Sequence, residues 1–213
     1  MDTIIKDMNP VLQMLIVMTV FSLLPLVFCC MTRFLRFVIV FSMLKTAMGT
    51  QQVPPSVVIV GLAMILTFYT MGGTFQKMYE MGSVPYQKNQ NIVEAINEGS
   101  KPLKEFMLKQ TRESDIAFFV QMSKGDAPAN PEELTVWQVA PAFIISELKT
   151  SFEIGFIIFV PFIVLDLVVA NILLALGMFM LSPTIISMPF KLLIFIAVDG
   201  WALIVQGLVT SYN

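Results

Sequence analysis

Four charged residues stand singly in long apolar stretches of this 213-residue chain: Glu153, Asp166, Lys191 and Asp199. A charge in hydrocarbon or in a dry core costs free energy unless it is paired, so such residues usually mark a pathway, a partner or a switch. Asp166 and Asp199 have the residue types of a carboxylate pair that converges on one water, as in an intramembrane protease. The glycine-x-glycine-Asp element of such enzymes is incomplete at Asp199, so pairing of these acids with Lys191 or Arg112 is the better interpretation.

The composition narrows the possible chemistry further. Hydrophobic residues make up 56% of the chain and charged residues 13%, which indicates a membrane-targeted helical protein rather than an ordinary soluble domain. The chain has no His, the commonest general base and metal ligand, and its net charge of −2 gives no basic surface for nucleic acid. Cys29 and Cys30 are adjacent, which suits neither a zinc site nor a disulfide framework. We therefore expect no cofactor, no resident metal and no catalysis.

Two short segments allow more than one interpretation. Glu147 with Ser151, and Lys149 with Glu153, are i,i+4 pairs on a helix, so this stretch is either a solvated face or an ion pair across a subunit boundary. The second segment, Met178, Phe179 and Met180, belongs to a chain with 16 methionines. Methionine is unbranched and soft, so these side chains suit either a deformable ring that closes a pore or the filling of a core.

The first third of the chain predicts a hydrophobic helical hairpin. Its first apolar run, 11–31, is long enough to span a bilayer, contains Pro25, and lacks the basic start and cleavage site of a signal peptide, so we expect it to be retained. An amphipathic helix over 34–48 should end at Gly49. A second apolar run, 57–71, follows Pro54-Pro55, and Gly72-Gly73 predicts its end.

The middle of the chain is polar, and the last third is apolar again. A short polar helix is expected over 91–99, a second one capped by Ser100, a restart at Ser114-Asp115, and a loop over 124–133. The run 152–181 should be followed by a turn made by Ser182-Pro183 and 187–189, and by a further apolar run over 190–209. The predicted fold class is thus all-α, with an N-terminal hydrophobic hairpin (1–75), a polar helical insert (76–135) and a C-terminal hydrophobic hairpin (136–213).

Charge bias predicts an orientation in the membrane. Arg33, Arg36 and Lys45 follow the first apolar run, and Lys191 lies at the turn between the last two. Short basic connections stay in the cytoplasm, which puts the insert on the periplasmic side of a bacterial inner membrane. Pro161, Asp166 and Gly177 interrupt an apolar run, and lipid would not tolerate them on an exposed face. We therefore expect these helices to pack mainly against other protein.

Several sequence blocks, in order, resemble the FliP/SctR family of type III export-gate proteins. They are TRF (32–34), VFS (40–42), GTQQ (49–52), PP (54–55), PLKEFMLKQTRE (102–113), PAF (141–143), SELKT (146–150), FEIGF (152–156), PF (161–162), DLV (166–168), LGMFM (176–180), PFK (189–191) and VDGW (198–201). The resemblance runs from about residue 31 to the C-terminus and is specific, because many blocks occur in the family's order.

This resemblance implies a helical pore-forming oligomer, a pentamer, that assembles with FliQ-like and FliR-like subunits and other export-gate proteins. Unfolded flagellar polypeptides would cross the inner membrane through it, at the flagellar basal body. The hydrophobic hairpins would then face protein partners as well as lipid. Met178, Phe179 and Met180 fall at the family's methionine-rich constriction, where Phe179 departs from the usual three methionines. Arg112, Glu147, Lys191, Asp166 and Asp199 are the predicted buried or interface charges.

Two alternatives remain beside the flagellar interpretation. The 102–113 block resembles the flagellar branch of the family, whereas the short N-terminus without an evident signal resembles the injectisome branch. A carrier for ions or small solutes, with Asp166, Lys191 and Asp199 as a relay, is the alternative of a different class. A carrier would work alone in vesicles, whereas a gate subunit would need its partners.

Overall fold

The computed structural model describes residues 10–50, 52–89, 92–122 and 134–212. All regular structure in these ranges is helical, which confirms the all-α prediction. The helices are α1 (Pro10–Met31), α2 (Phe34–Ala47), α3 (Ser56–Asn89), α4 (Ile92–Gln110), α5 (Glu113–Met122), α6 (Val136–Ala175), α7 (Pro183–Ala197) and α8 (Gly200–Thr210). The predicted loop over 124–133 lies outside the described residues.

The first two helices have nearly the predicted bounds. α2 ends where expected, because Gly49 adopts a left-handed φ of 77° that favours glycine. The N–H of Gly49 donates to the carbonyl of Thr46 at 3.0 Å, which satisfies one of the last carbonyls of the helix. α2 also has the predicted buried stripe, since Phe37, Phe41 and Leu44 are fully buried.

The predicted helix end at Gly72-Gly73 is wrong, because α3 continues through both glycines to Asn89. Both glycines lie on the exposed side of the helix, where each costs only about 1 kcal/mol relative to alanine. The opposite side carries a row of buried residues at i,i+4 spacing: Ile59, Ala63, Thr67 and Met71. Packing of this row outweighs the weak helix propensity of the glycines.

The middle of the chain also forms longer helices than expected. The two short helices predicted at 91–99 and from Pro102 are a single helix, α4, and Pro102 lies inside it. Ser100 does not cap a new helix, because its hydroxyl donates to the carbonyl of Asn97 at 2.9 Å. The restart predicted at Ser114-Asp115 is confirmed, since α5 begins at Glu113.

The predicted turn at 187–189 is wrong. The break lies earlier, at 176–182, and α7 runs from Pro183 through Ser187 and Pro189 to Ala197. Ser187 is fully buried and bonds to a neighbouring helix, which accounts for a polar residue inside an apolar helix. A second break at Val198-Asp199 bends the chain by 65° into α8.

The sequence predicted two domain boundaries. The one after residue 135 coincides with the start of α6 at Val136, whereas the one after residue 75 falls inside α3. By packing, the chain consists of two units. The first comprises Met1–Leu35 and Thr67–Glu147, and the second Arg36–Leu66 and Leu148–Asn213. The three-part division into hairpin, insert and hairpin therefore stays a prediction.

The first unit has an aromatic and thioether core. Phe106 on α4 and Phe143 on α6 meet edge to face with ring centroids 5.8 Å apart. The Arg33 guanidinium lies 5.4 Å from the Phe106 ring centroid, a cation–π contact. The backbone N–H of Arg33 donates to the sulfur of buried Met71 at 3.4 Å. Through Arg33, the connection between α1 and α2 thus packs against both α3 and α4.

The second unit is built around a cluster formed by α2, α6 and α7, whose buried members are Leu44, Ala47, Met48, Phe162 and Phe195. Ser211 and Tyr212, which follow α8, are held by contacts with Arg36. The Arg36 guanidinium lies 3.8 Å from the Tyr212 ring centroid and donates to Ser211 Oγ at 3.2 Å. These contacts fix α8 against α2 and make a buried arginine tolerable.

Among the described residues, two helices are long and apolar enough to cross a membrane. They are Ser56–Pro85 within α3 and the whole of α6, and the most apolar stretch of each has a mean hydropathy of 1.8 and 2.7, respectively. The segment Phe21–Met31 of α1 together with α2, and α7 together with α8, also qualify if each pair counts as one broken span. Only 11% of the most apolar part of α6 is buried within the chain. This surface therefore needs lipid or protein to cover it.

Candidate functional site

The segment that joins α6 to α7 carries Met178, Phe179 and Met180, and its entry is fixed by a Schellman turn. Gly177 adopts a left-handed φ of 73° just after α6 ends. The N–H of Gly177 donates to the Leu174 carbonyl at 3.0 Å, and the N–H of Met178 donates to the Leu173 carbonyl at 2.9 Å. These two bonds satisfy terminal carbonyls of α6 and set the direction in which the chain leaves the helix.

The exit of this segment is fixed by the start of α7. Ser182 is the N-cap residue in extended conformation, and Pro183 occupies the first helical turn. Proline suits this position because its fixed φ is already helical and its missing N–H would have no partner within the helix. Residues 176–182 are thus a short non-helical connection with defined ends. We call it the gate loop, after the role that the resemblance implies for Met178, Phe179 and Met180.

The gate loop presents its apolar side chains outward. Met178 is 45% exposed, Phe179 76% and Met180 100%. Interpretation of this segment as core filler fails for the chain by itself, because a core residue would be buried. The loop is therefore an apolar surface that a neighbouring surface can cover.

Replacing Gly177 by alanine is expected to lower the stability of this turn by about 1–2 kcal/mol, because a left-handed φ strains any residue with a Cβ. Nothing lies within 4 Å of the added Cβ, so the cost comes from the backbone alone. Asparagine should cost less than alanine. The measurement is the midpoint of thermal unfolding in detergent.

Gly207 provides the matched control for this prediction. Its added Cβ would also meet nothing within 4 Å, but it lies inside α8 without a left-handed φ. Gly207→Ala should leave the midpoint unchanged or raise it. Equal midpoints for Gly177→Ala and Gly207→Ala would contradict the role given to the turn.

A buried ion pair joins α6 to α7 behind the gate loop. Lys191 Nζ lies 2.8 Å from Asp166 Oδ2, with side-chain exposures of 3% for Lys191 and 31% for Asp166. The ammonium group also donates to the Ala47 carbonyl at 3.2 Å, at the end of α2. The hydroxyl of Ser187 donates to the other carboxylate oxygen, Asp166 Oδ1. The two charges are thus paired and further hydrogen-bonded, as burial requires.

The ion pair sets the register of the hairpin whose tip is the gate loop. Asp166 precedes the end of α6, and Lys191 follows the start of α7, by about 12–14 Å of helix each. Phe162 and Phe195 meet one further turn away, with ring centroids 6.5 Å apart. A shift of α7 along α6 would break the ion pair and the aromatic contact together. The two contacts therefore fix the position of the loop relative to α6 and α7.

The other predicted charges have different environments. Glu147 is fully buried, whereas the side chains of Arg112 and Asp199 are exposed in the single chain. The backbone N–H of Arg112 donates to Ser146 Oγ at 3.1 Å, which fixes the corner between α4 and α5. The predicted interface roles of Arg112 and Asp199 remain predictions.

Asp199 forms the corner between α7 and α8. It has a left-handed φ of 51°, and its carbonyl accepts a hydrogen bond from the Leu203 N–H at 3.2 Å. Gly200 follows because the Phe195 ring occupies the space that a Cβ would need. The block VDGW (198–201) is therefore accounted for by backbone geometry and packing at this corner.

Ser187 and the Ala47 carbonyl were not among the residues that the sequence singled out. Ser187 lies four residues before Lys191, hence on the same side of α7, and this spacing was an available signal. Asp166 falls in the inward row of α6, with Ser151, Gly155, Phe162 and Leu173 at spacings of four and seven. No local pattern in the sequence points to the Ala47 carbonyl.

The chain is similar to known proteins over nearly its whole length. Residues 17–208 match the model of the FliP family. The Flagellar biosynthetic protein FliP of Bacillus subtilis (strain 168) is 43% identical over 208 residues, covering 97% of this chain and 94% of that protein. The protein of that name from Caulobacter vibrioides is 46% identical over 204 residues, with 95% and 77% covered. The one from Buchnera aphidicola subsp. Acyrthosiphon pisum is 46% identical over 202 residues, with 94% and 53% covered. The match over most of the chain, with the order of blocks seen in the sequence, shows that this chain belongs to the FliP family.

Proposed function

We propose that the chain is a core, non-catalytic subunit of the flagellar type III export gate. In this proposal the gate loops of several copies meet around an axis, and Met178, Phe179 and Met180 close a conduit for unfolded polypeptide. The observation that carries the proposal is the gate loop itself, an exposed apolar tip on a hairpin whose register is held by a buried ion pair.

Lipid cannot serve as the environment of the gate loop. Non-helical backbone at membrane depth is tolerated only where it is buried in protein or lines a water-filled cavity, because lipid offers no hydrogen-bond partners. The gate loop is non-helical and lies between two apolar helices, α6 and α7. In the proposed assembly the loop lines a conduit, where its apolar side chains can exclude water in the closed state.

The side chains of Met178, Phe179 and Met180 suit an apolar seal that must also deform to let a polypeptide pass. Methionine has several rotatable bonds and adapts to partners of different shape. Phe179 makes the ring stiffer than one with methionine at all three positions, while its apolar surface preserves the seal. The exposed faces of α3 and α6 would be covered by sister copies, FliQ-like and FliR-like subunits and lipid. The proposed location is the bacterial inner membrane, with the polar insert (76–135) in the periplasm.

The flagellar branch is favoured over the injectisome branch. The two relatives from Bacillus subtilis and Caulobacter vibrioides carry the name Flagellar biosynthetic protein FliP, and the matches to them cover 97% and 95% of this chain. An injectisome role remains the alternative within the family. The carrier alternative would use Asp166, Lys191 and Asp199 as a relay, of which Asp166 and Lys191 form an ion pair.

Co-expression with the FliQ-like and FliR-like subunits of the same genome should yield one complex that contains several copies of this chain. The reason is the apolar surface that the single chain leaves uncovered. The measurement is the mass of the detergent-solubilised complex after affinity purification through a tag on the FliR-like subunit. Recovery of this chain as a stable monomer that never co-purifies with the other subunits would overturn the proposal.

A further inference from the structure

We propose that a cavity in the second unit, whose lining combines polar and apolar side chains, binds the phosphate group of a membrane phospholipid headgroup. The cavity has a volume of about 570 Å³ and lies where α2 ends and where α3 and α7 begin. Its polar lining consists of one lysine and five hydroxyl residues: Lys45, Ser42, Thr46, Thr50, Ser56 and Thr184. The inference is independent of the gate loop and goes beyond the proposed function.

The lining matches the chemistry of a phosphate. Among the described lining residues, Lys45 carries the only charge. The hydroxyl of Thr46 donates to the Ser42 carbonyl at 3.0 Å, and that of Thr50 donates to the Lys45 carbonyl at 3.3 Å. Ser42, Ser56 and Thr184 also line the cavity, and their side chains are exposed. An ammonium group with several hydroxyl donors recognises a phosphate monoanion through charge-assisted hydrogen bonds.

The size and the walls of the cavity suit a phospholipid rather than a free ion. Its volume falls within the range of about 300–1,000 Å³ that is usual for small-molecule sites. One wall is apolar, formed by Ile59 and Val60 on α3. Beside it, Val57 and Val58 are 76% and 54% exposed. A phosphate could thus bind at the polar end while an acyl chain lies along the valine surface of α3.

The position of the cavity along the chain supports the same ligand. Ser56 lines the cavity and is also the first residue of the membrane-length segment Ser56–Pro85. The end of an apolar span lies at the level of the lipid headgroups. Basic side chains at this level recognise lipid phosphates, and Lys45 belongs to the basic connection predicted to face the cytoplasm.

Binding can be tested on the full chain after delipidation in detergent, by titration with phosphatidylglycerol and native mass spectrometry. We expect one retained lipid per chain. Lys45→Gln should weaken binding by at least about tenfold through loss of the charge-assisted bond. Lys45→Arg should retain binding, and the double variant Ser56→Ala/Thr184→Val should weaken it without changing the charge.

Lys109→Gln is the matched control, because Lys109 is exposed on α4 and its loss changes the net charge equally. Equal binding by wild type and Lys45→Gln would overturn the proposal, as would equal loss in Lys109→Gln. Diacylglycerol, which lacks the phosphate, should bind much more weakly than phosphatidylglycerol. Displacement of the lipid by inorganic phosphate at a similar concentration would overturn the lipid assignment and leave a site for free phosphate.

Discussion

A variant with glycine in place of both Met178 and Met180 is expected to assemble normally and to leak ions at rest. The two side chains are exposed in the single chain, so their removal takes no packing away from its core. In the proposed gate they contribute to the apolar ring that excludes water and ions. A decrease of the barrier by only about 1.4 kcal/mol raises passage tenfold, and several copies lose two side chains each. An increase of tenfold or more in resting conductance should follow.

The measurement is the conductance of the purified complex in planar bilayers, or growth in salt media of cells that express the variant. The variant Met178→Leu/Met180→Leu is the volume control, because it retains apolar side chains of similar size and should stay closed. Replacement of both methionines by alanine tests whether the added backbone freedom of glycine causes the leak. If the assembled glycine variant conducts no more than wild type, the gate loop does not seal the conduit.

The sequence predicts the end of α2 correctly, because Gly49 adopts a left-handed φ there that glycine accommodates without strain. Gly177 has the same conformation after the end of α6, although the apolar run was expected to continue through it to residue 181. Gly72 and Gly73 give the same local signal but lie inside α3. The difference is tertiary, since the packed row opposite the glycines outweighs the weak helix propensity, and no local pattern measures that packing.

Prolines led to the same kind of error. Pro102 was expected near the start of a helix and Pro189 in a turn, yet both lie inside helices. A proline removes one backbone hydrogen bond, and long helices with many packed neighbours can sustain that loss. Pro183 is the informative case, because it follows Ser182 and begins α7 where the N–H is not needed.

The functional site could be predicted in part. The isolated charges Asp166 and Lys191 were singled out because unpaired charge in an apolar run is costly, and they are indeed partners. Their pairing with each other, rather than with Arg112 or Asp199, depends on the register between α6 and α7, which local sequence does not encode. The exposure of Met180 likewise depends on the length of the loop and not on residue type.

Breaking the buried ion pair is expected to give the largest loss of stability. Removal of one partner leaves the other charge buried without compensation, which typically costs about 3–5 kcal/mol. Asp166→Asn should cost more than Lys191→Met. In Asp166→Asn the remaining charge is the Lys191 ammonium group, on a side chain only 3% exposed. In Lys191→Met it is the Asp166 carboxylate, on a side chain 31% exposed, which water can solvate. The measurement is the free energy of unfolding in detergent at neutral pH.

The pair of Lys109 and Glu105 on α4 is the matched control. Its nitrogen and oxygen also lie 2.8 Å apart, but the two side chains are 69% and 64% exposed. The hydrogen bond from Lys109 lowers the pKa of Glu105, so the two side chains do interact although both are exposed. Loss of a solvated pair costs about 1 kcal/mol or less, so Lys109→Met should unfold nearly as wild type does. Equal losses for Lys109→Met and Lys191→Met would contradict the role of burial.

The double variant Asp166→Leu/Lys191→Met separates the gate from the carrier. Apolar side chains of similar volume can replace a buried pair at little cost in stability, so this variant should recover most of what either single variant loses. A gate that uses the pair only to hold the register of α6 and α7 should then still export flagellar protein, measured as secreted flagellin. A relay needs the charges themselves, so a double variant that still exports would contradict the carrier alternative. A stable, assembled double variant without export would contradict a pair that serves only to hold the register. Because stability is measured on the complex purified from the same cells whose export is measured, a folding defect cannot be mistaken for a loss of transport.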